Sequence, residues 1–343
     1  MRSTKDCITR EDSVGIIVTL SPSHLPYLRE LHDAGMTMAR LNGSHNTIDW
    51  HRKTIKIIRS TIPGTPILLD IPGRKLRLNI EQNIPVHTRE TIALPLPSWI
   101  PEGTTIIFDD GKLTGTLLPR TDFPGVTDSS APRLESVSTG IQKKTLDPGS
   151  AAFGLVRETQ AYAAIQFHQD GQLRPQIGMN IPSVELQGPL LTKRDLEIID
   201  LAQAESVDYL GLSFIESAQL IHAVHQLSNR PCAVKIETQL AMQNLDDICQ
   251  HADMVIVARG DLSVECGLFN VIKNQKQILK ITNKIRVVAT GLLDLYPPQQ
   301  STIADIQNAI LDGADYLLVS SDLPAGKDAI QAIHLMKKTI NSI

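Results

Sequence analysis

Several things are missing from this chain of 343 residues. No apolar stretch approaches the roughly 18 residues that a membrane-spanning helix needs, and the opening MRSTKDCITRED is charged where a signal peptide would be apolar. Cysteine is scarce: Cys7, Cys232, Cys249 and Cys266 show no CxxC spacing. That excludes a disulfide framework and the common zinc patterns, and the residues read as thiols kept reduced. There is no basic excess either, since the formal net charge is −4, which argues against a nucleic-acid partner. The expectation is a cytoplasmic protein with no membrane and no nucleic-acid partner. With 42% hydrophobic residues, the chain can bury the core of two domains or of one large barrel with an insertion.

What the chain does have is a repeated strand-and-helix rhythm. The run 14–20 (VGIIVTL) reads as a strand, followed by a helical pattern over 25–34 that Gly35 closes. Residues 36–41 (MTMARL) and 66–70 (PILLD) give a second and third strand, with a helix over about 48–60 between them. The rhythm then stops. From 79 to 178 the sequence turns to Thr, Pro, Gly and short alternating runs, with a hairpin signal at Asp109-Asp110-Gly111-Lys112. We read 79–178 as an inserted small β domain, β-barrel-like in character, with 1–78 and 179–343 as the two parts of the main domain. Within the insertion, 121–150 has the least pattern. After Thr192, a candidate helix N-cap, strands follow at 208–214, 232–236, 254–258, 284–290 and 315–320, and a final helix at about 329–340. Eight strands alternating with helices predict an α/β fold, a (β/α)8 TIM barrel with the small domain inserted after its third strand.

The stretch 231–261 organises the rest. Two buried-strand runs, 232–236 and 254–258, flank a helix-length polar segment, and each ends in charge: Lys235 and Glu237 on the first, Arg259, Gly260 and Asp261 on the second. Ligands of parallel α/β folds sit beyond the carboxyl ends of the strands. Two carboxylates, a lysine and an exposed glycine backbone at one mouth suit a hard divalent cation and an anionic oxygen ligand. Read singly, the residues are less telling. Arg40 fits a surface ion pair, Thr290, Ser44 and Asp70 fit helix or loop caps, and His45 fits a solvated side chain. Lys235 is the hardest to dismiss, because burying an ammonium costs several kcal/mol unless anions meet it.

Taken together, the strand-end segments resemble the pyruvate kinase family. MARLNGSH at 38–45 is similar to that family's ARLNFSHG, LLDIPGRKLR at 68–77 to its LLDTKGPEIR, and GMNIP at 178–182 to its GVNLP. DDGKL, LSFIESA, VKIET, VARGDLSVE, VATGLLD and NAILDGADYLLVSS follow in family order. The resemblance implies phosphoryl transfer between phosphoenolpyruvate and ADP, giving pyruvate and ATP. It implies Lys235 as the stabiliser of the transferring phosphoryl group and the enolate, and Glu237 and Asp261 as ligands of Mg²⁺, with Mn²⁺ able to stand in. Arg40 would clamp the phosphate, Gly260, Asp261 and Thr290 would hold the substrate carboxylate, and Arg77 would assist at the phosphoryl end. His45 and Arg77 would face the nucleotide. Asn42, Ser44 and Asp70 match the monovalent-cation site.

Departures from the family pattern modify these expectations. The family's carboxyl-terminal domain is absent from this sequence, so its allosteric control is not expected. Lys75 stands where many members carry Glu, and its ammonium would replace the monovalent cation, so K⁺ is not expected to be required. Gln176-Ile177 replace the lysines that precede GVNLP, leaving Arg174 as the candidate substitute of different reach. PPQQST at 297–302 replaces PTRAE, Ser320-Ser321-Asp322-Leu323 replaces SGET, and Gly291 replaces a glutamine. Assembly into a homo-oligomer through the barrel is compatible with the family. Two alternatives stay open: ADP-independent enolate chemistry of aldolase or decarboxylase type on a pyruvate-like substrate, and a non-catalytic module that binds phosphoenolpyruvate.

Overall fold

The computed structural model of the protein describes residues 14–120, 160–293, 299–320 and 323–343. Cys7, the 121–150 stretch and parts of the PPQQST and Ser320–Leu323 segments lie outside the described residues. The chain forms two compact units, one comprising Met1–Arg74 and Lys193–Ile343, the other Lys75–Thr192.

The first unit opens with β1 (Gly15–Thr19), α1 (Leu28–Ala34), β2 (Met38–Asn42), α2 (Ile48–Thr61) and β3 (Ile67–Ile71). The second unit contributes β4 (Leu76–Arg77), β5 (Ile84–Val86), β6 (Thr91–Pro97), β7 (Thr105–Phe108), β8 (Leu113–Leu117), β9 (Gln160–Phe167), β10 (Gly171–Leu173) and β11 (Gly178–Asn180). The first unit then resumes with α3 (Lys193–Ala204), β12 (Tyr209–Leu212), α4 (Gln219–His225), β13 (Cys232–Ile236), α5 (Gln239–Gln243) and α6 (Leu245–His251). It ends with β14 (Met254–Ala258), α7 (Arg259–Cys266), α8 (Val271–Ile281), β15 (Ile285–Ala289), α9 (Gln300–Leu311), β16 (Tyr316–Val319) and α10 (Asp328–Ile340). The strands of this unit close into a parallel barrel in the order β1-β16-β15-β14-β13-β12-β3-β2. The TIM barrel expected from the strand rhythm is therefore the observed fold.

Successive side chains of a strand point to opposite faces, and in this barrel both faces are dry. One set, including Ile17, Met38, Leu68, Ala233, Met254, Ile256, Val287, Ala289 and Leu318, packs into a single buried cluster. The alternate set, such as Ile16, Val18, Leu69, Val234, Val255 and Val257, is equally buried and faces the helices. That is why the strands read as unbroken apolar runs. The row of the first set continues two residues further along each strand. Arg40 follows Met38, Asp70 follows Leu68, and Lys235 follows Ala233, so the alternation itself delivers charge to the carboxyl ends of the barrel strands.

Two local features differ from the sequence expectation. The polar segment between the fifth and sixth barrel strands is two helices, α5 and α6, separated at Asn244, whose side-chain amide donates to the Glu216 carbonyl at 2.7 Å. An asparagine bonded to a distant backbone carbonyl competes with helical geometry. Secondly, Arg259, Gly260 and Asp261, read as the charged end of a strand, form the first turn of α7.

The second unit is antiparallel. Its main sheet runs β4-β11-β7-β8-β9-β6, beside a β10-β5 ribbon, around a core that includes Phe108 and Phe167 with ring centroids 5.9 Å apart. This unit is wider than 79–178, because β4 pairs with β11, placing Arg77 opposite Gly178. The Asp109–Gly111 turn joins β7 to β8 as the hairpin signal predicts. Cys232 and Cys249 are free and buried, and burial pushes the Cys232 thiol up to about 12. Among the described residues no helix is long and apolar enough to cross a membrane.

One glycine makes room for the polar end of the barrel. Gly211 on β12 pairs with Asp70 on β3, and a Cβ there would lie 2.0 Å from Asp70 Oδ1 and 2.7 Å from its Cγ. Gly211→Ala is therefore expected to cost about 1–3 kcal/mol by overpacking, read as a lowered thermal unfolding temperature, whereas an alanine at exposed Gly64, where φ is positive but nothing lies within 4 Å, meets only backbone strain.

Candidate active site

The barrel mouth gathers side chains from strands distant in sequence. Arg40 at the end of β2 is 7% exposed. Its Nε and Nη2 donate to Asp70 Oδ2 at 3.0 and 2.6 Å, and its Nη1 donates to Thr19 Oγ1 at 2.9 Å. Arg40 is thus an ion-pair partner, but a buried one. Asp70 Oδ1, pressed toward Gly211, is buried without a hydrogen bond. The Asp70 carbonyl accepts from Gly43 N at 3.1 Å, a close approach that a Cβ at Gly43 would block at 2.1 Å.

Lys235 stands across the barrel on β13. Its ammonium lies 3.0 Å from Glu237 Oε2 and donates to Ser213 Oγ at 3.3 Å. Glu237 is fully buried, and its Oε1 accepts from Phe214 N at 2.7 Å. Its Oε2 meets the Lys235 ammonium out of line and has no well-aligned hydrogen bond. Burial pushes the Glu237 carboxyl above the ordinary glutamate range; Lys235 opposes this, and the nearby Asp261 charge adds to it. Asp261 sits in the first turn of α7, next to Gly260.

Such a site is short of positive charge. A buried carboxylate oxygen lacking an aligned donor, raised further by a second carboxylate, matches the needs of a hard cation bound through oxygen. Among the described residues no group of three or more His, Cys, Asp or Glu side chains is arranged to hold a metal. Mg²⁺ commonly takes only one or two protein carboxylates and completes its shell with water and substrate oxygens. Glu237 and Asp261 fit that ion.

Thr290 follows β15 in a left-handed conformation, φ 71, and Gly291 follows at φ 76. For a β-branched residue this backbone is a genuine outlier, costing about 1–3 kcal/mol unless its surroundings enforce it. A Cβ at Gly260 would touch Thr290 Cγ2 at 3.4 Å, so the two residues are neighbours. Phe214, at φ 51, is a second strained position, and its N–H is the one that holds Glu237.

The remaining predicted residues lie at or just after the end of β2, where Asn42 pairs with Asp70, or in the second unit. Asn42 Oδ1 accepts from Ser44 N at 3.0 Å, so these two are joined through a turn, while Asp70 is committed to Arg40. His45 is exposed; its carbonyl accepts from His51 Nε2 at 2.9 Å. In the second unit Lys75 donates to Asp110 Oδ1 at 3.2 Å, Arg77 to the Gln176 carbonyl at 3.1 Å, and Arg174 to Asp109 Oδ1 at 2.7 Å. Sequence reasoning did not single out Ser213 or Phe214 as parts of this mouth. Arg74 and Glu216 form an ion pair at 2.6 Å with side chains only 11% and 9% exposed. The clue was available for Ser213, which directly follows the fourth barrel strand, but a neutral hydroxyl there carries no distinctive pattern.

Comparison with known proteins agrees with this architecture. The family model described as pyruvate kinase, barrel domain, matches residues 132–333. A pyruvate kinase of Thermococcus litoralis is 30% identical over 94% of this chain and 68% of its own length. One of Mycobacterium tuberculosis is 28% identical over 96% of the chain and 69% of its length. Among solved structures, a pyruvate kinase from Cryptosporidium parvum superposes with a TM-score of 0.79 at 23% identity, covering 96% of this chain and 69% of that one, a likeness of fold.

The raised Glu237 carboxyl has a linkage consequence. It stays protonated in the folded, metal-free protein at pH values where the unfolded chain has already released its proton, above about 4.3. The stability it contributes is complete below that pH and is lost as pH rises through the folded value. Metal-free protein should therefore lose thermal stability with rising pH more steeply than Glu237→Gln. Saturating Mg²⁺ should stabilise the wild type and leave Glu237→Gln nearly unmoved.

Proposed function

The chain belongs to the pyruvate kinase family, and from that premise we propose that it catalyses Mg²⁺-dependent transfer of a phosphoryl group between phosphoenolpyruvate and ADP. The observation that carries the proposal is the pairing of Lys235 with Glu237 beside Ser213 at the mouth of the barrel. In the forward direction the phosphoenolpyruvate P–O bond breaks, a terminal ADP oxygen bonds to phosphorus, and the enolate left behind takes a proton at carbon to become pyruvate. Negative charge shifts onto the enolate oxygen during that step. The chain's part is to hold the reactants and meet the charge, which is most of what phosphoryl transfer asks of a protein.

Each residue has a role that its surroundings support. The Lys235 ammonium is tethered on one side by Glu237 and Ser213 and is 16% exposed at its side chain, so it can meet an anion without leaving its place. Arg40 is held rigid by Asp70 and Thr19, yet both of its terminal nitrogens keep a second N–H for a phosphate oxygen. Gly260 and Asp261 lie in the first turn of α7, where backbone N–H groups lack helical partners and favour an anion such as a carboxylate. Thr290, beside Gly260, offers its hydroxyl to the same carboxylate. Glu237 and Asp261 would hold Mg²⁺, which when bound would neutralise charge on the phosphate and enolate oxygens. Exposed His45 is the barrel's candidate to meet the nucleotide, and exposed Arg77 is the candidate that the second unit supplies by family resemblance. By family resemblance Asn42, Ser44 and Asp70 match the residues of a monovalent-cation site, and the Lys75 substitution goes with turnover that needs no K⁺.

The test is pyruvate formation from phosphoenolpyruvate with ADP and Mg²⁺, followed by a coupled assay with and without K⁺. The expected result is turnover indifferent to K⁺ and lowered at least a hundredfold in Lys235→Ala. Absence of turnover in the wild type, with Mg²⁺-dependent binding of oxalate intact, would reject the kinase reading in favour of enolate chemistry without ADP. Binding that is likewise intact in Lys235→Ala, with no turnover of any 2-keto acid, would point to a binding module.

A further inference from the structure

Arg259 and Asp305 have no place in the substrate contacts described above, yet both are built into the wall of the site. Arg259 opens α7 directly after β14 and is 8% exposed. Its Nη1 and Nη2 donate to Asp305 Oδ1 and Oδ2 at 2.8 and 2.7 Å, a two-pronged pair with a residue in the second turn of α9. The same guanidinium donates from Nε to the Thr290 carbonyl at 2.8 Å, and Nη2 reaches that oxygen as well. The planar fork thus has one edge on a carboxylate and one on the backbone of the strained residue, a geometry a lysine could not reproduce.

Thr290 needs such support. Its φ of 71 is unfavourable for a β-branched side chain, and Gly291 behind it, also left-handed, imposes no cost and no restraint of its own. The backbone N–H of Thr290 reaches the Leu318 carbonyl only at 3.4 Å. The shorter, charge-assisted bonds run through the carbonyl to Arg259. We propose that the Arg259–Asp305 pair is the positioning element of the active site: it clamps the Thr290 carbonyl, holds that residue left-handed, and so fixes its hydroxyl beside Gly260. Arg259 and Asp305 act through Thr290 and touch no substrate. The role of Thr290 in catalysis rests on the kinase reading above; its conformation does not.

The experiment combines kinetics with crystallography on the full chain. Arg259→Lys and Asp305→Asn keep charge or shape while breaking the fork, and either suffices if the other does not fold. Each is expected to lower kcat/KM for phosphoenolpyruvate roughly ten- to a hundredfold, with the KM for ADP unchanged. In a Thr290→Ala background, the added loss should be less than about threefold, because residues acting through one group are not additive. A general structural role predicts instead that the losses multiply, and that outcome would overturn the proposal, as would full activity in both single variants. Crystal structures of the variants give a readout independent of turnover. Thr290 reverting to negative φ supports the brace, and Thr290 unmoved near +70 refutes it. A wild type inactive toward phosphoenolpyruvate, in which Thr290 still reverts on breaking the fork, would sink the kinase reading and leave the brace standing.

Discussion

Everything at the mouth of this barrel depends on keeping two cations and their carboxylates at the end of an interior that is otherwise hydrocarbon. Lys235 follows Ala233 on the same inward-facing row, and Arg40 follows Met38. Removing either charge from water is affordable only with an anion in reach. Asp70 supplies this for Arg40, and Glu237 for Lys235. The two pairs differ in a telling way. Each carboxylate keeps one buried oxygen without an aligned donor, but Asp70 takes two short bonds from Arg40 on its other oxygen, whereas Glu237 stands beside the further charge of Asp261. The first pair is held by those two short bonds. The second is incomplete until a cation arrives, which is how a stable scaffold can hold a site of unspent electrostatic demand.

Two strained residues stand beside that demand. Phe214 and Thr290, both at positive φ, flank the site from β12 and β15, and each is tied by its backbone to a charged side chain: the Phe214 N–H to Glu237, the Thr290 carbonyl to Arg259. A residue persists in such a conformation only where its neighbours over-determine it. Here ionic groups do so, and the same bonds that hold the backbone also hold the functional side chains. Hydrogen bonds to charge thus tie these two loop residues to the barrel.

Several parts of this arrangement could be read from residue order. The eight strands were legible because both of their faces are buried, which leaves long apolar runs ending in charge, and Lys235, Glu237 and Asp261 stood out as charges where apolar runs stop. The second unit was legible as a change of rhythm, although its edge at Lys75 was not, because the β4–β11 pairing joins residues a hundred positions apart in the chain. The break at Asn244 escaped notice for a similar reason: what ends the helix is a bond to the carbonyl of Glu216, invisible to local pattern. Lys75, Arg77 and Arg174 were recognisable as cations, but not their partners Asp110, Gln176 and Asp109.

The sequence by itself determined the barrel, the alternation that carries charge to the strand ends, and family membership, because periodicity and strand-end chemistry are properties of neighbours along the chain. Only the tertiary structure decided which charges meet. It gave Asp70 to Arg40 and not to Asn42 and Ser44 alone, left Glu237 Oε2 in want of a cation, turned Thr290 left-handed and set Arg259 between it and Asp305. Those outcomes depend on distances between strands that closure of the barrel brings together, and electrostatic interaction in a buried site changes steeply with such distances and with the local dielectric.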